Sequence, residues 1–314
     1  MTETKTTYLK ATDGHTIPLY LWPLENPRAI VQISHGMAEH AGRYSDFASY
    51  LNQQGYAVIA HDHRGHGLST PEQQLGIFSS DPNIHGWQSV LNDLHLVETH
   101  ARTLWPNCPL ILLGHSMGAQ AARSALTWHK VNSDACILSG LNLNPRIELA
   151  AALLVTKLES LRIGRTGKSA IIDKLIFGQF NRQFKPNRTT FDWLSRDDNQ
   201  VDDYVGDTYC GFRCSNELWN EFLAAMMAMN TKNAISNIDR NLPIFLIGGD
   251  QDPATANSKG ILKLYDAMTG VGMKRVSKKI WENSRHEIIN ELNAADVYQS
   301  ISGWIESQVV DLTT

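Results

Sequence analysis

The sequence predicts an α/β fold: a mostly parallel sheet with helices on both faces and a helical insertion late in the chain. Three observations carry this. Short apolar runs alternate with helix-spaced stretches through the first 140 residues, the pattern of parallel strands joined by covering helices. Residues 110–125 read as buried strand, sharp turn and Ala-rich helix around Gly114-His115-Ser116-Met117-Gly118. The alternation then lapses over 141–237 and resumes after it. The chain therefore divides into 1–140, the first part of the core; 141–237, a helical cap; and 238–314, the second part of the core.

Residues 7–22 read as two extended segments around Asp13-Gly14, a hairpin turn signal. The run Ala29 to Ser34 is a strand that ends at His35-Gly36-Met37. Tyr44, Phe47 and Leu51 have helical spacing over 43–54, and Gly55 is a plausible stop. Residues 56–60 form the next strand, followed by the polar loop His61-Asp62-His63-Arg64-Gly65-His66-Gly67. A long amphipathic helix over 84–104 precedes the strand 110–113, and 135–139 is another short apolar run. In the insertion, 147–162, 170–179 and 216–229 read as helices. Strand 242–247, helix 258–268, strand 274–281 and a final helix from about 287 to 307 complete the chain.

Composition narrows the function classes. With 314 residues and 42% hydrophobic residues there is enough for one large domain with an insertion. A net charge of -4 speaks against a nucleic-acid partner. Of the four cysteines, Cys136 sits in an apolar run and reads as core; Cys210 and Cys214 lack a second pair or a nearby His for a metal site. Residues 1–8 are polar, with no apolar signal region, and no stretch is long enough to span a bilayer. The expectation is a soluble, cytoplasmic protein, with transient contact between the cap and a membrane surface left open.

Gly-x-Ser-x-Gly has meaning in its strand–turn–helix context. The turn strains the middle residue and crowds its neighbours, so glycines must flank it. Ser116 is then lifted into a pocket, and the Met117 N–H, at a helix N-terminus, can face an oxyanion. A serine alone is a weak nucleophile and needs a base and an acid, in the order Ser, Asp or Glu, His. After the resumed strand, Gly249-Asp250-Gln251-Asp252 offers two acids. Asp252 is favoured because it lies beyond the turn; Asp250 is the fallback, and either could be a plain turn residue. Of the 12 histidines, only His286 follows this pair, which makes it the natural general base. The second oxyanion donor is expected from the loop after an early strand, where the Met37 N–H fits. Gly36 could otherwise be an ordinary strand-ending glycine.

Two motifs are set aside. Gly164 to Ser169 looks like a phosphate loop, but the required upstream glycine position is Arg162. The cluster His61, His63 and His66 lacks a carboxylate or Cys to complete a metal site.

With these motifs placed, the chain resembles the α/β-hydrolase fold of the monoacylglycerol lipase and lysophospholipase branch, over nearly its whole length. The likeness rests on residues 35–44, on Asp62 to Ser69, on 114–118, on Gly249-x-x-Asp252 and on Arg285-His286-Glu287. Residues 191–197 and Asp207-x-x-Cys210-Gly211-Phe212 are similar to bacterial lysophospholipases. The resemblance implies a Ser116, Asp252, His286 triad and an oxyanion hole at the Met37 and Met117 N–H groups. Ala38 and Ala119 stand where the family often has Gly. It implies two-step hydrolysis of monoacyl lipids or similar esters, with a small-molecule acyl ester as partner and no cofactor or metal. Two rivals stay open. A serine aminopeptidase would use acidic cap residues such as Asp197, Asp198, Asp202 and Asp203 to bind an amine, although these read more simply as a solvated loop. A non-catalytic receptor of the same fold would lose a triad residue or use the pocket unchanged, and the complete Ser116, Asp252, His286 set argues against it.

Overall fold

The computed structural model describes residues 5–313. Strands β1 (Lys5–Lys10) and β2 (Thr16–Trp22) form the expected hairpin. Then come β3 (Ala29–Ser34), helix α1 (Ser45–Gln53), β4 (Tyr56–His61), α2 (Gly86–Leu104), β5 (Leu110–His115), α3 (Met117–Thr127) and β6 (Ala135–Ser139). Helices α4 (Arg146–Ile163), α5 (Ala170–Ile176), α6 (Asp198–Gly206), α7 (Asn216–Met229) and α8 (Lys232–Ser236) follow. The chain closes with β7 (Ile244–Gly249), α9 (Lys259–Gly270), β8 (Val276–Trp281) and α10 (Ala294–Thr313).

The eight strands form one sheet in the order β1-β2-β4-β3-β5-β6-β7-β8. The β1–β2 and β2–β4 pairs are antiparallel and the rest parallel. Every residue of β3 to β7 is buried, as both faces of a covered parallel sheet require. One face packs against α2, α3, α7 and α9, the other against α1 and α10.

The order reverses between β3 and β5. That switch point is where open α/β sheets form their ligand crevice, beyond the carboxyl ends of the strands. Register fixes what meets there. Ser34 pairs with Gly114, so the loop after β3 lies beside the turn after β5. Gly249 pairs with Trp281, which sets the loop carrying Asp252 beside the loop carrying His286.

Three details differ from the sequence reading. Residues 198–206, expected as a solvated loop, form α6, because the Asp197 side chain accepts the Asn199 N–H at 3.0 Å and caps it. The last helix starts at Ala294 rather than near 287. The stretch before it is diverted: Glu287 binds Arg43, and Glu291 accepts the Arg285 N–H at 2.7 Å. Leu154 and Leu158, whose apolar side chains in the helix read at 147–162 would be expected in the core, are exposed on α4, whereas Trp219, Phe222 and Met226 of α7 join the main core.

Candidate active site

Ser116 occupies the tight turn between β5 and α3 with φ 52° and ψ −114°. For a residue with a side chain this is a strained conformation, of order 1–3 kcal/mol, kept only where the surroundings enforce it. The flanking glycines explain the enforcement. A Cβ on Gly118 would lie 2.0 Å from the Ser34 carbonyl oxygen, and one on Gly114 would lie 2.5 Å from the Gly118 oxygen. The elbow is thus wedged against the end of β3, with Met117 as the first residue of α3.

His286 follows β8. Its Nδ1 lies 2.9 Å from Asp252 Oδ2, and both side chains are buried. Asp252 Oδ1 accepts the Ala254 N–H at 2.8 Å, which fixes the carboxylate. Asp250 makes no contact with His286; its Oδ1 is buried without a partner. Burial works against a charged imidazole. Asp252, by charge and hydrogen bond, and then Glu287 and Glu39 outweigh it and raise the His286 pKa above its ordinary value. The neighbouring His115, 4.7 Å away ring to ring, is pushed down to about 3 by burial.

Ser116 and His286 line one cavity of about 660 Å³, together with Met37, Trp193 and Phe177. A second, more apolar cavity of about 250 Å³ shares Met37, Ser116 and Phe177 with the first and runs past Met117, Leu149, Trp219 and Phe222. The two cavities meet at Ser116. All five residues singled out in the sequence, Met37, Ser116, Met117, Asp252 and His286, therefore gather at the sheet's switch point. The Met37 N–H has no acceptor among the described residues.

Residues 192–195 hold the histidine loop in place. The Glu287 N–H donates to the Leu194 carbonyl at 2.8 Å, and Arg285 Nη1 donates to the Asp192 and Ser195 carbonyls. Sequence reasoning missed Glu39 and Glu287, buried in the cavity wall, and Arg43, part-buried behind them. The i, i+4 spacing of Glu39 and Arg43 was the available signal.

Among the described residues, metal-type donors gather at His40, Asp207 and Cys210, within 4.8 Å of one another. The donor set does not suit an ion. His40 Nδ1 accepts the Gly42 N–H, so its proton sits on Nε2 and points at Asp207, 2.8 Å away. No ring lone pair is left for a metal.

The fold is that of the α/β-hydrolases, and relatives and structural neighbours place the chain with their lipases and esterases. A model of the serine aminopeptidase S33 family matches residues 25–293, and the chain belongs to that family. It is 26% identical to the monoglyceride lipase of Rattus norvegicus, over 96% of this chain and 90% of the relative. It is 25% identical to the monoacylglycerol lipase of Mycolicibacterium smegmatis, over 94% of this chain and 95% of that protein. Among solved structures, a thermostable carboxyl esterase from Bacillus coagulans superposes with a TM-score of 0.87 at 24% identity, covering 98% of this chain and all of the esterase. At that identity the superposition speaks to the fold alone.

Proposed function

We propose that the chain hydrolyses monoacyl lipids or similar medium-to-long acyl esters, of the monoacylglycerol lipase or lysophospholipase type, with Ser116 as nucleophile, His286 as base and Asp252 as the acid. The observation that carries this is the meeting of an apolar cavity and a wider, more polar one at Ser116. An ester with a greasy acyl chain and a polar alcohol fits that division. The Nδ1 proton of His286 is held by Asp252, which leaves Nε2 to take the Ser116 proton. Ser116 Oγ then attacks the ester carbonyl, and the oxyanion receives the N–H groups of Met37 and Met117. The C–O bond breaks as His286 returns the proton to the leaving alcohol, leaving an acyl-enzyme. Water, deprotonated by the same His286, attacks the acyl carbon and releases the acid and Ser116. The cap at 141–237 walls both cavities through Leu149, Phe177, Trp193 and Trp219.

The aminopeptidase rival needs a free carboxylate in the cavity. Asp198 and Asp202 pair with Arg188 instead, and Asp197 caps α6. Glu39, Glu287 and Asp173 line the cavity, but Arg43 occupies the first two and the Arg213 guanidinium lies 3.6 Å from Asp173. Hydrolysis of p-nitrophenyl esters of graded chain length separates the readings. We expect kcat/KM to rise from acetate towards longer chains and aminoacyl amides to turn over far more slowly. Amides as the better substrates would support the peptidase, and no turnover of either would support a receptor.

The cap also carries a surface suited to lipid aggregates. Along α4, Ile147 (80% exposed), Leu154, Leu158 and Leu161 (85% exposed) lie on the solvent side, a stripe that a monomeric protein in water gains nothing by exposing. No helix among the described residues is long and apolar enough to cross a membrane, so contact would be peripheral. Leu158→Ser with Leu161→Ser is expected to lower sedimentation with phospholipid vesicles and hydrolysis of vesicle-borne ester, while a dissolved short ester is hydrolysed as before. Equal vesicle binding by the double variant would remove this role.

A further inference from the structure

Beside the paired Asp252 and His286 lies a second buried charge cluster. Glu39 follows the β3 loop, Arg43 stands four residues further on in the short turn Ala41–Tyr44, and Glu287 is the residue after His286. Glu39 Oε1 accepts the Gly36 N–H at 2.5 Å and the Tyr44 hydroxyl at 2.9 Å. Its other oxygen accepts from Arg43 Nη1 at 2.6 Å. Arg43 forks onto Glu287, with Nη1 to Oε1 at 2.8 Å and Nη2 to Oε2 at 2.7 Å. Asn290 Nδ2 donates to Glu287 Oε2 at 2.8 Å, and the Arg43 guanidinium sits 4.8 Å from the centre of the Tyr204 ring. Tyr204 in turn donates its hydroxyl to the Ala38 carbonyl at 2.8 Å, and the Gly211 N–H donates to the same oxygen at 2.9 Å.

Three ionisable groups this deep are expensive to desolvate and weak as stabilisers. Their placement gives them a different use. The loop from 36 to 38 is clamped at both ends. The Gly36 N–H is committed to Glu39 and the Ala38 carbonyl to Tyr204, so the peptide between them, which bears the Met37 N–H, has one orientation. Ala38 holds a φ of 56° within that clamp. A Cβ on Gly36 would meet Glu39 Oε1 at 2.6 Å and Ser116 Cβ at 3.4 Å, so the loop is pressed between the bridge and the elbow. At the far end, the bridge grips the residue next to His286.

We propose that Glu39, Arg43 and Glu287 are positioning residues, a buried bridge that sets the Met37 N–H and the His286 ring in one fixed geometry about Ser116 Oγ. The proposal rests on the ester-hydrolase reading above. It adds that two loops far apart in the chain are tuned as a unit, by charge as well as by shape. Burial pushes Glu287 up, but the Arg43 guanidinium and its hydrogen bonds bring it down to about 2, so it stays ionised beside the base. Burial raises Glu39. Tyr44, Tyr204 and Cys210 also face the bridge; burial pushes all three up and keeps them neutral. The charged neighbours that favour protonated His286 are thus Asp252, Glu287 and Glu39.

Two variants separate geometry from charge. Arg43→Lys keeps the positive charge but loses the fork. We expect kcat to fall about ten- to a hundredfold, since an ångström of misplacement is enough for that. KM should stay near wild type, because the oxyanion contact is made in the transition state, and the acid limb of the pH profile should not move. Glu287→Gln removes a negative charge beside the base, so the acid limb of kcat/KM should move to lower pH. If Arg43→Lys does not fold, Glu39→Gln tests the bridge instead: its amide would turn a donor towards Arg43, so kcat should fall, and the lost charge should move the acid limb to lower pH. Folded variants with kcat near wild type and an unmoved acid limb would overturn the proposal. Ser116→Ala serves as control. Wild type without Ser116-dependent turnover would mean that the ester-hydrolase reading has failed, not the bridge. NMR titration of His286 in wild type and Glu287→Gln then decides without substrate: an unchanged midpoint overturns the bridge's influence on the base, and a lower one supports it.

Discussion

Ser116→Ala is expected to lower kcat/KM for a p-nitrophenyl ester by about 10⁴- to 10⁶-fold, the loss seen when a nucleophile acting within a triad is removed. The variant should fold as wild type does. Alanine keeps the Cβ that the elbow already accommodates, and the strain at φ 52° is a property of the backbone turn, imposed by Gly114, Gly118 and the end of β3. The melting temperature should therefore move little, which separates lost chemistry from lost structure. A second readout does not depend on substrate choice. A fluorophosphonate should add covalently to wild type at Ser116 and leave Ser116→Ala unmodified, as read by intact mass. A folded variant that keeps a tenth or more of the activity would remove Ser116 from the nucleophile's place. Among the described residues no other serine lines the cavity that holds His286, so none is placed to rescue the variant.

The parts of this molecule that the sequence makes legible are those fixed by local rules. Strands β3 to β6 are short apolar runs bounded by turn residues, and a fully buried parallel strand has no other way to be written. The elbow is legible because sterics demand glycine at two fixed positions around Ser116. The order of Asp252 and His286 is legible because each follows a strand that must end at the same sheet edge. What stays hidden depends on partners far away in the chain. The apolar residues of α4 lie on more than one face, and nothing in the helix tells which face finds a neighbour; Leu149 does and Leu158 does not. Helix α6 is acidic and reads as solvated loop until the Asp197 cap is seen. Glu287 looks like part of a helix start. Its partner, Arg43, is 244 residues earlier, and only the register of β3, β5 and the strands beyond them brings the two together.

Asp252→Asn is expected to lower kcat by about 10⁴-fold while Asp250→Asn leaves it near wild type. The contrast follows from which carboxylate reaches the base. Asp252 is fully buried and lies 2.9 Å from His286 Nδ1, whereas Asp250 sits at the turn and donates its backbone N–H to the Trp281 carbonyl at 3.0 Å. An asparagine at 252 can still fill the space and accept the Ala254 N–H. With its amide nitrogen towards His286 it becomes a donor facing Nδ1, which favours the tautomer whose proton is on Nε2. That tautomer cannot take the Ser116 proton. With its oxygen towards Nδ1 the tautomer is right, but no negative charge remains to stabilise the imidazolium. The charge effect has a sign that can be read separately. Asp252 raises the His286 pKa, and hydrolysis needs His286 neutral, so activity is lost as pH falls through that raised value. In Asp252→Asn the residual activity should persist to lower pH, because the base gives up its proton more readily. The pair of variants, each followed from acid to neutral pH with the melting temperature recorded alongside, tests both arms. Loss in Asp250→Asn with Asp252→Asn intact would transfer the acid's role to Asp250. Equal, small losses in both would leave His286 without a charged partner in catalysis and would undo the triad itself.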